Sequence, residues 1–151
     1  MDPATFLSQA VSGALSTKRI AHPAGEYFAT IKEISYKTMD SKKEPGKVFH
    51  ILDVVFKTDD ALAKEQTGMN EPTVRKSIFL DLLPDGSALD TSNGKNVDLG
   101  RLRAAVGQND PEKSWTFNDL VGQQCYIIVN HNVEGEDTYA NVGKVGAAAS
   151  S

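Results

Sequence analysis

Val48-Phe49-His50-Ile51-Leu52-Asp53-Val54-Val55-Phe56-Lys57 is the stretch that decides how this chain folds. Its side chains alternate at the period of a β-strand. Val48, His50, Leu52, Val54 and Phe56 lie on one face, and Phe49, Ile51, Asp53, Val55 and Lys57 lie on the other. Both faces are substantially apolar, so the strand is expected to be central, with neighbours on either side.

Working outward, Glu26 to Lys37 alternates as well: Tyr27, Ala29 and Ile31 face one way, and Phe28, Thr30 and Lys32 the other. Between these two strands lies Lys37-Thr38-Met39-Asp40-Ser41-Lys42-Lys43-Glu44-Pro45-Gly46-Lys47, where Pro45-Gly46 favours a turn. That connection carries four lysines against two acids in a chain whose formal net charge is −4. A third strand is predicted from Thr73 to Leu83, with Val74, Ile78, Leu80 and Leu82 opposite Arg75, Ser77, Phe79 and Asp81, and Pro84-Asp85-Gly86 closing it.

Residues 59–72 read as a polar insertion with helical character at Asp60–Gln66. Asn96 or Asp98 can cap a helix running through Val106, with Leu99, Leu102 and Val106 buried, Arg101 and Arg103 projecting away, and Gly107 ending it. Trp115 to Val121 resembles one packed turn. Gln123 to Val133 and Thr138 to Val145 are the fourth and fifth strands, joined by the acidic turn Glu134-Gly135-Glu136-Asp137.

The predicted fold is therefore mostly β. Five short strands with a helix between the third and fourth is the element order of a five-stranded OB-fold barrel, and a small α+β sheet domain would give a similar string. Three regions are expected: residues 1–24 as a flexible or short-helical arm, 25–145 as the folded domain, and 146–151 as a small-residue tail. In the arm, Phe6, Leu7, Ala10, Ala14 and Leu15 permit a short amphipathic helix ending near Ser16 or Thr17.

Composition narrows the function classes. The chain of 151 residues is one domain's worth. The only cysteine, Cys125, sits in an apolar run and is expected to be a buried thiol. No segment approaches the roughly 20 apolar residues of a transmembrane helix, and the N-terminus lacks a signal peptide's basic region and apolar core. Cytoplasmic residence is the expectation. Residues 1–58 hold 8 basic and 6 acidic side chains, whereas 59–151 hold 8 and 14. Nonspecific duplex binding wants a strongly basic domain; this pattern suits a single positive groove combined with aromatic stacking.

His22, His50 and His131 are too far apart to form a local metal motif, and Asp81, Asp85 and Asp90 do not match a calcium loop. No phosphate-cradling Gly-rich loop, nucleophile elbow or zinc-protease helix occurs. The expectation is a non-catalytic protein without metal or cofactor.

The chain resembles the single-stranded-DNA-binding proteins encoded by tailed phages, which are compact OB-fold proteins. The likeness rests on Gly25-Glu26-Tyr27-Phe28-Ala29-Thr30-Ile31 with the lysine loop, on Leu99-Gly100-Arg101-Leu102-Arg103-Ala104-Ala105-Val106-Gly107, and on Phe117-Asn118-Asp119-Leu120-Val121-Gly122 leading to Tyr126-Ile127-Ile128-Val129 and Tyr139-Ala140-Asn141-Val142. It spans roughly residues 25 to 145. Members of that family often finish in an acidic tail that recruits replication partners, whereas this chain runs out through Gly146-Ala147-Ala148-Ala149-Ser150-Ser151, a run of the kind that opens a linker.

The resemblance implies single-stranded DNA as partner, phage or host replication proteins as further partners, the cytoplasm of an infected bacterium as location, and a monomer or dimer. OB-folds bind through strands two and three and through the loops joining strands one to two and four to five. Lys42 and Lys43 are the first candidates for backbone contact, followed by Lys37 and Lys47. Arg75 is favoured over its neighbour Lys76, which must face the opposite side, and Lys32 is a lesser candidate. Tyr36, Phe49 and Tyr139 are candidates for base stacking. Tyr27, Phe56 and Phe79 are assigned to the core, and Trp115 to a plug at one barrel end. A protein-binding structural or adaptor role is the alternative.

Overall fold

A computed structural model describes residues 2–14, 20–135 and 137–147. Its elements are helix α1 (Pro3–Leu7), strands β1 (Gly25–Asp40) and β2 (Val48–Thr58), helix α2 (Ala61–Thr67), strand β3 (Thr73–Leu80), helix α3 (Val97–Ala105), a 3-10 turn (Phe117–Leu120), and strands β4 (Gln124–Glu134) and β5 (Asp137–Gly146). The strands close into a barrel in the order β1-β2-β3-β5-β4, with β4 returning to β1. All neighbouring pairs are antiparallel except β3 and β5, which are parallel. This is an OB-like barrel with α3 between β3 and β4.

β2 is central, as its two apolar faces require. It pairs with β1 from Ala29↔Thr58 to Asp40↔Val48 and with β3 from His50↔Leu80 to Lys57↔Thr73. Its inward row, Leu52, Val54 and Phe56, is buried with Ile31, Val74, Ile78, Leu102, Leu120, Ile127 and Val129. A bulge between Ile31 and Glu33 lets β1 bend, so that its first half pairs with β4 and its second half with β2. The β1–β2 hairpin is longer than predicted. Asp40 still pairs with Val48, and the connection shrinks to residues 41–47, closed by Ser41 N–H donating to Lys47 C=O at 2.9 Å.

The seam between β3 and β5 is thin, consisting of the single pair Arg75↔Asn141. Helix α3 closes the core beside it, with Leu99, Leu102 and Ala105 buried. Its start is set by Asn96, which takes a left-handed φ of 53° tolerated by asparagine. Asn96 does not cap the helix with its side chain. Instead its side-chain carbonyl accepts from Asp81 N–H at 2.7 Å, and its amide donates to the carbonyls of Asp81 and Asp90 at 2.8 and 2.9 Å, tying α3 to the end of β3.

Several sequence expectations change. β3 stops at Leu80, because the chain turns into a small loop in which Leu82 bridges Leu89. Phe79 is not a core residue; it points outward with 57% of its surface exposed. Arg103 does not project away but lies over the Trp115 ring at 4.1 Å and donates to Gln108 C=O at 2.8 Å. Trp115 is partly buried and packs against the core cluster, and Cys125 is fully buried, as expected, its thiol pushed up to about 11 by desolvation. The described helix of the arm stops at Leu7 with Phe6 and Leu7 exposed, so no amphipathic face packs there. The expected helix end at Ser16 or Thr17, together with Leu15, lies outside the described residues, as do the tail from Ala148 onward and Glu136. The arm is anchored before Gly25: His22 is buried, its Nδ1–H donates to Pro23 C=O at 2.9 Å, its Nε2 meets Thr58 Oγ1 at 2.7 Å, and His131 Nε2–H donates to its carbonyl at 2.6 Å.

Because Leu102 is fully buried in the helix that closes the thin seam, Leu102→Ala is expected to cost about 2–5 kcal/mol in urea unfolding. A loss below 1 kcal/mol would mean that α3 does not seal the barrel.

Candidate nucleic-acid interface

The register of β1, β2, β3 and β5 builds one outward-facing surface in three rungs. Lys37 pairs with Ile51, and Ile51 with Phe79; Ser35 pairs with Asp53, and Asp53 with Ser77; Glu33 pairs with Val55, Val55 with Arg75, and Arg75 with Asn141. Met39 and Phe49 form the next rung toward the lysine loop. Because side chains alternate along each strand, all of these share the outer face.

At the loop end of this surface, Phe49 and Phe79 stack with centroids 5.6 Å apart and planes 27° from parallel. Phe79 is 57% exposed and Met39 48% exposed beside them. Lys47 lies over the Phe49 ring at 5.5 Å while its ammonium pairs with Glu44 at 3.5 Å. Two rings held as a sheet-borne platform are available for further stacking on the open face.

The middle rung is an electrostatic lock. Asp53 is buried on the outer face, where Lys37 Nζ reaches its carboxylate at 3.1 Å and Ser77 Oγ–H donates to it at 2.5 Å. Burial alone raises the Asp53 carboxyl. The Ser77 hydroxyl, the Lys37 ammonium and the Arg75 charge outweigh it and hold its pKa below the ordinary carboxylate value. Lys37 is thus occupied in neutralising an acid that would otherwise repel a polyanion.

The remaining candidates divide. Lys42 and Lys43 are exposed in the loop, and among the described residues neither is ion-paired. Arg75 is exposed on the same outer face as Phe79, while Lys76 faces the opposite way, as the alternation requires. Tyr139 is 51% exposed on β5, two residues from Asn141 on the same side, and its hydroxyl reaches Asp137 at 3.4 Å. Tyr36 does not join this surface. It sits in the inward row with Leu52, past the core at one barrel end, where it stacks with His50 at 6.0 Å and hydrogen-bonds its ring. Lys32 is drawn to Glu71 at 3.6 Å, a carboxylate shared with Lys57.

Sequence reasoning missed Phe79, Asp53 and Ser77. The signal for Phe79 was its place in the alternating row Arg75-Ser77-Phe79; the signal for Asp53 was a lone acid in an apolar strand.

The ionised Asp53 is the form the fold favours. Its contribution is present above the unfolded carboxylate value of about 3.9 and is lost as pH falls through the lower folded value. Asp53→Asn is expected to lose about 1–3 kcal/mol at pH 7, with the difference from wild type narrowing below pH 4 in denaturant titrations. A difference constant from pH 7 to pH 2.5 would contradict the lock.

In comparison with known proteins, no family model matches the chain, and no curated protein matches it in sequence.

Proposed function

We propose that this protein binds single-stranded DNA non-catalytically and without strong sequence preference, along the outer face of β2 and β3. The observation that carries the reading is the Phe49–Phe79 platform, with Phe49 half-buried and Phe79 exposed, lying between Arg75 and the loop's Lys42 and Lys43, which have no ion pair among the described residues. Exposing a large aromatic on a sheet forfeits the stabilisation that burial would give. Such a ring is useful where flat, apolar partners stack, and base stacking contributes about 1–3 kcal/mol per base.

In this reading Lys42, Lys43 and Lys47 hold phosphates at the loop end. Phe49 and Phe79 support bases, and Arg75 with Tyr139 extends the path toward β5. The Lys37–Asp53 pair keeps the middle of the path close to neutral. The acidic turn at Glu134 to Asp137 bounds the path and repels a strand that strays past it. Coverage of single strands during phage replication or recombination, in the host cytoplasm, is the role that the family resemblance suggests.

A protein-contact reading has one specific support. On the β1–β4 wall, Phe28 and Tyr126 pack edge-to-face at 5.3 Å with Phe28 45% exposed, beside Ile128 at 38%. That patch lies away from the basic loop and suits an additional partner.

Fluorescence-anisotropy titration with labelled oligo-dT separates these readings. Lys42→Glu/Lys43→Glu is expected to weaken binding more than tenfold at low salt and to flatten its salt dependence. Phe79→Ala is expected to cost about 1–3 kcal/mol with an unchanged salt slope. Unchanged affinity in both variants would remove this face as the site, and stronger binding to duplex than to oligo-dT would overturn the single-strand reading.

A further inference from the structure

Beside the β3–β5 seam, α3 leaves a cleft of about 330 Å³ lined by Lys76, Asp98, Arg101, Gly143, Lys144 and Val145. We infer that this cleft is a second phosphate-binding pocket, taking a backbone phosphate of the strand after it has crossed the β2–β3 face. The inference rests on the proposed function for the source of that phosphate.

The placement of Lys76 is the first argument. It belongs to the inward row of β3, between Val74 and Ile78, which are 4% and 0% exposed. An aliphatic residue would serve a barrel core better there, because a charged head in that row must escape to solvent or find partners. Past Arg75↔Asn141 the two strands share no further pair, and the Lys76 head emerges through that opening. Its ammonium donates to the Val142 carbonyl at 3.4 Å, a long bond that occupies only one of three N–H groups.

The cleft is also positively charged. Lys76, Arg101 and Lys144 converge from three different elements, β3, α3 and β5. The cleft's one carboxylate, Asp98, faces Arg101 at 3.9 Å, and both side chains are mostly exposed at 55% and 73%. Among the described residues Lys144 has no ion pair. Two positive charges therefore remain in excess, in a concave site at the small end of the 300–1,000 Å³ range typical of ligand pockets. Gly143 lines the cleft at the bulge of β5, where the Asn130 amide occupies the space a side chain would take.

The cleft also continues the outer face. Arg75 and Asn141 form the seam's one pair, and Gly143 and Lys144 of the cleft follow Asn141 on β5, so a strand passing Arg75 on the outer face reaches the cleft along its β5 rim. Lysine and arginine from separate elements enclosing one anion is the arrangement a tetrahedral oxyanion needs to receive several N–H donors at once.

The test uses the full chain, wild type and Arg101→Gln/Lys144→Gln, two exposed positions whose change spares the core. Amide NMR follows titration with inorganic pyrophosphate at constant ionic strength, and anisotropy follows oligo-dT across a salt series. The expected result is saturable shifts at Arg101, Gly143 and Lys144 in wild type that vanish in the variant, together with a salt slope for oligo-dT that falls by about 0.7 for the one phosphate no longer held. Shifts with pyrophosphate but an unchanged oligo-dT slope would make the cleft a site for free phosphates and overturn its place on the strand path. No variant-sensitive shift and no slope change, with oligo-dT still bound through Lys42 and Lys43, would overturn the pocket and leave the proposed function standing. No oligo-dT binding by wild type would defeat the proposed function and, with it, the strand assignment of the cleft.

Discussion

Everything in this molecule depends on closing a five-stranded sheet whose last seam is held by one backbone pair. β1–β2, β2–β3 and β4–β5 are long antiparallel ladders, but β3 and β5 meet only at Arg75↔Asn141. A parallel contact that short supplies little cohesion, so closure falls to side chains. Leu99 and Leu102 of α3 fill the space that missing pairs would occupy, and Asn96 fixes the helix to the end of β3 through both its backbone and its amide. The same thin seam opens the cleft from which Lys76 emerges, so the barrel's weakest join is also where its inner row reaches the surface.

Closure also dictates the outer face. With β2 central, its outward residues are flanked on both sides: Ile51 lies between Lys37 and Phe79 and Asp53 between Ser35 and Ser77, and both are buried on the solvent side of the sheet. A buried carboxylate is tolerated there because Lys37 and Ser77 converge on it from β1 and β3. Structure and electrostatics are joined at that point: the lock ties three strands together and neutralises one of the two carboxylates on this face, the other being Glu33 on the rung of Arg75.

The fold was legible in the sequence because its decisive signal is period-two alternation on five strands. Val48 to Lys57, apolar on both faces, required a central position, and Pro45-Gly46 marked the turn that precedes it. The site was legible only in part. Lys42, Lys43, Phe49 and Arg75 follow from loop position and alternation. Phe79 was assigned to the core because large aromatics usually are buried, although its row of Arg75 and Ser77 pointed outward. Tyr36 lies beside the lysine loop in sequence, but one residue of parity puts it in the inner row, away from Phe49. Lys32 and Lys37 could not be sorted from Lys42 without knowing that Glu71 and Asp53 would come within reach through long-range pairing. The ion pairs of Lys32 with Glu71 and of Lys37 with Asp53 join residues distant in sequence, and no local pattern encodes them.

The central claim is that bases rest on the Phe49–Phe79 platform. Ultraviolet crosslinking of oligo-dT to the intact protein, followed by mass-spectrometric mapping of the modified residues, tests it most directly. The expected result is crosslinks concentrated at Phe79 and Phe49. Crosslinks confined to Phe28 and Tyr126 on the opposite wall, or none under conditions where binding is saturated, would contradict it.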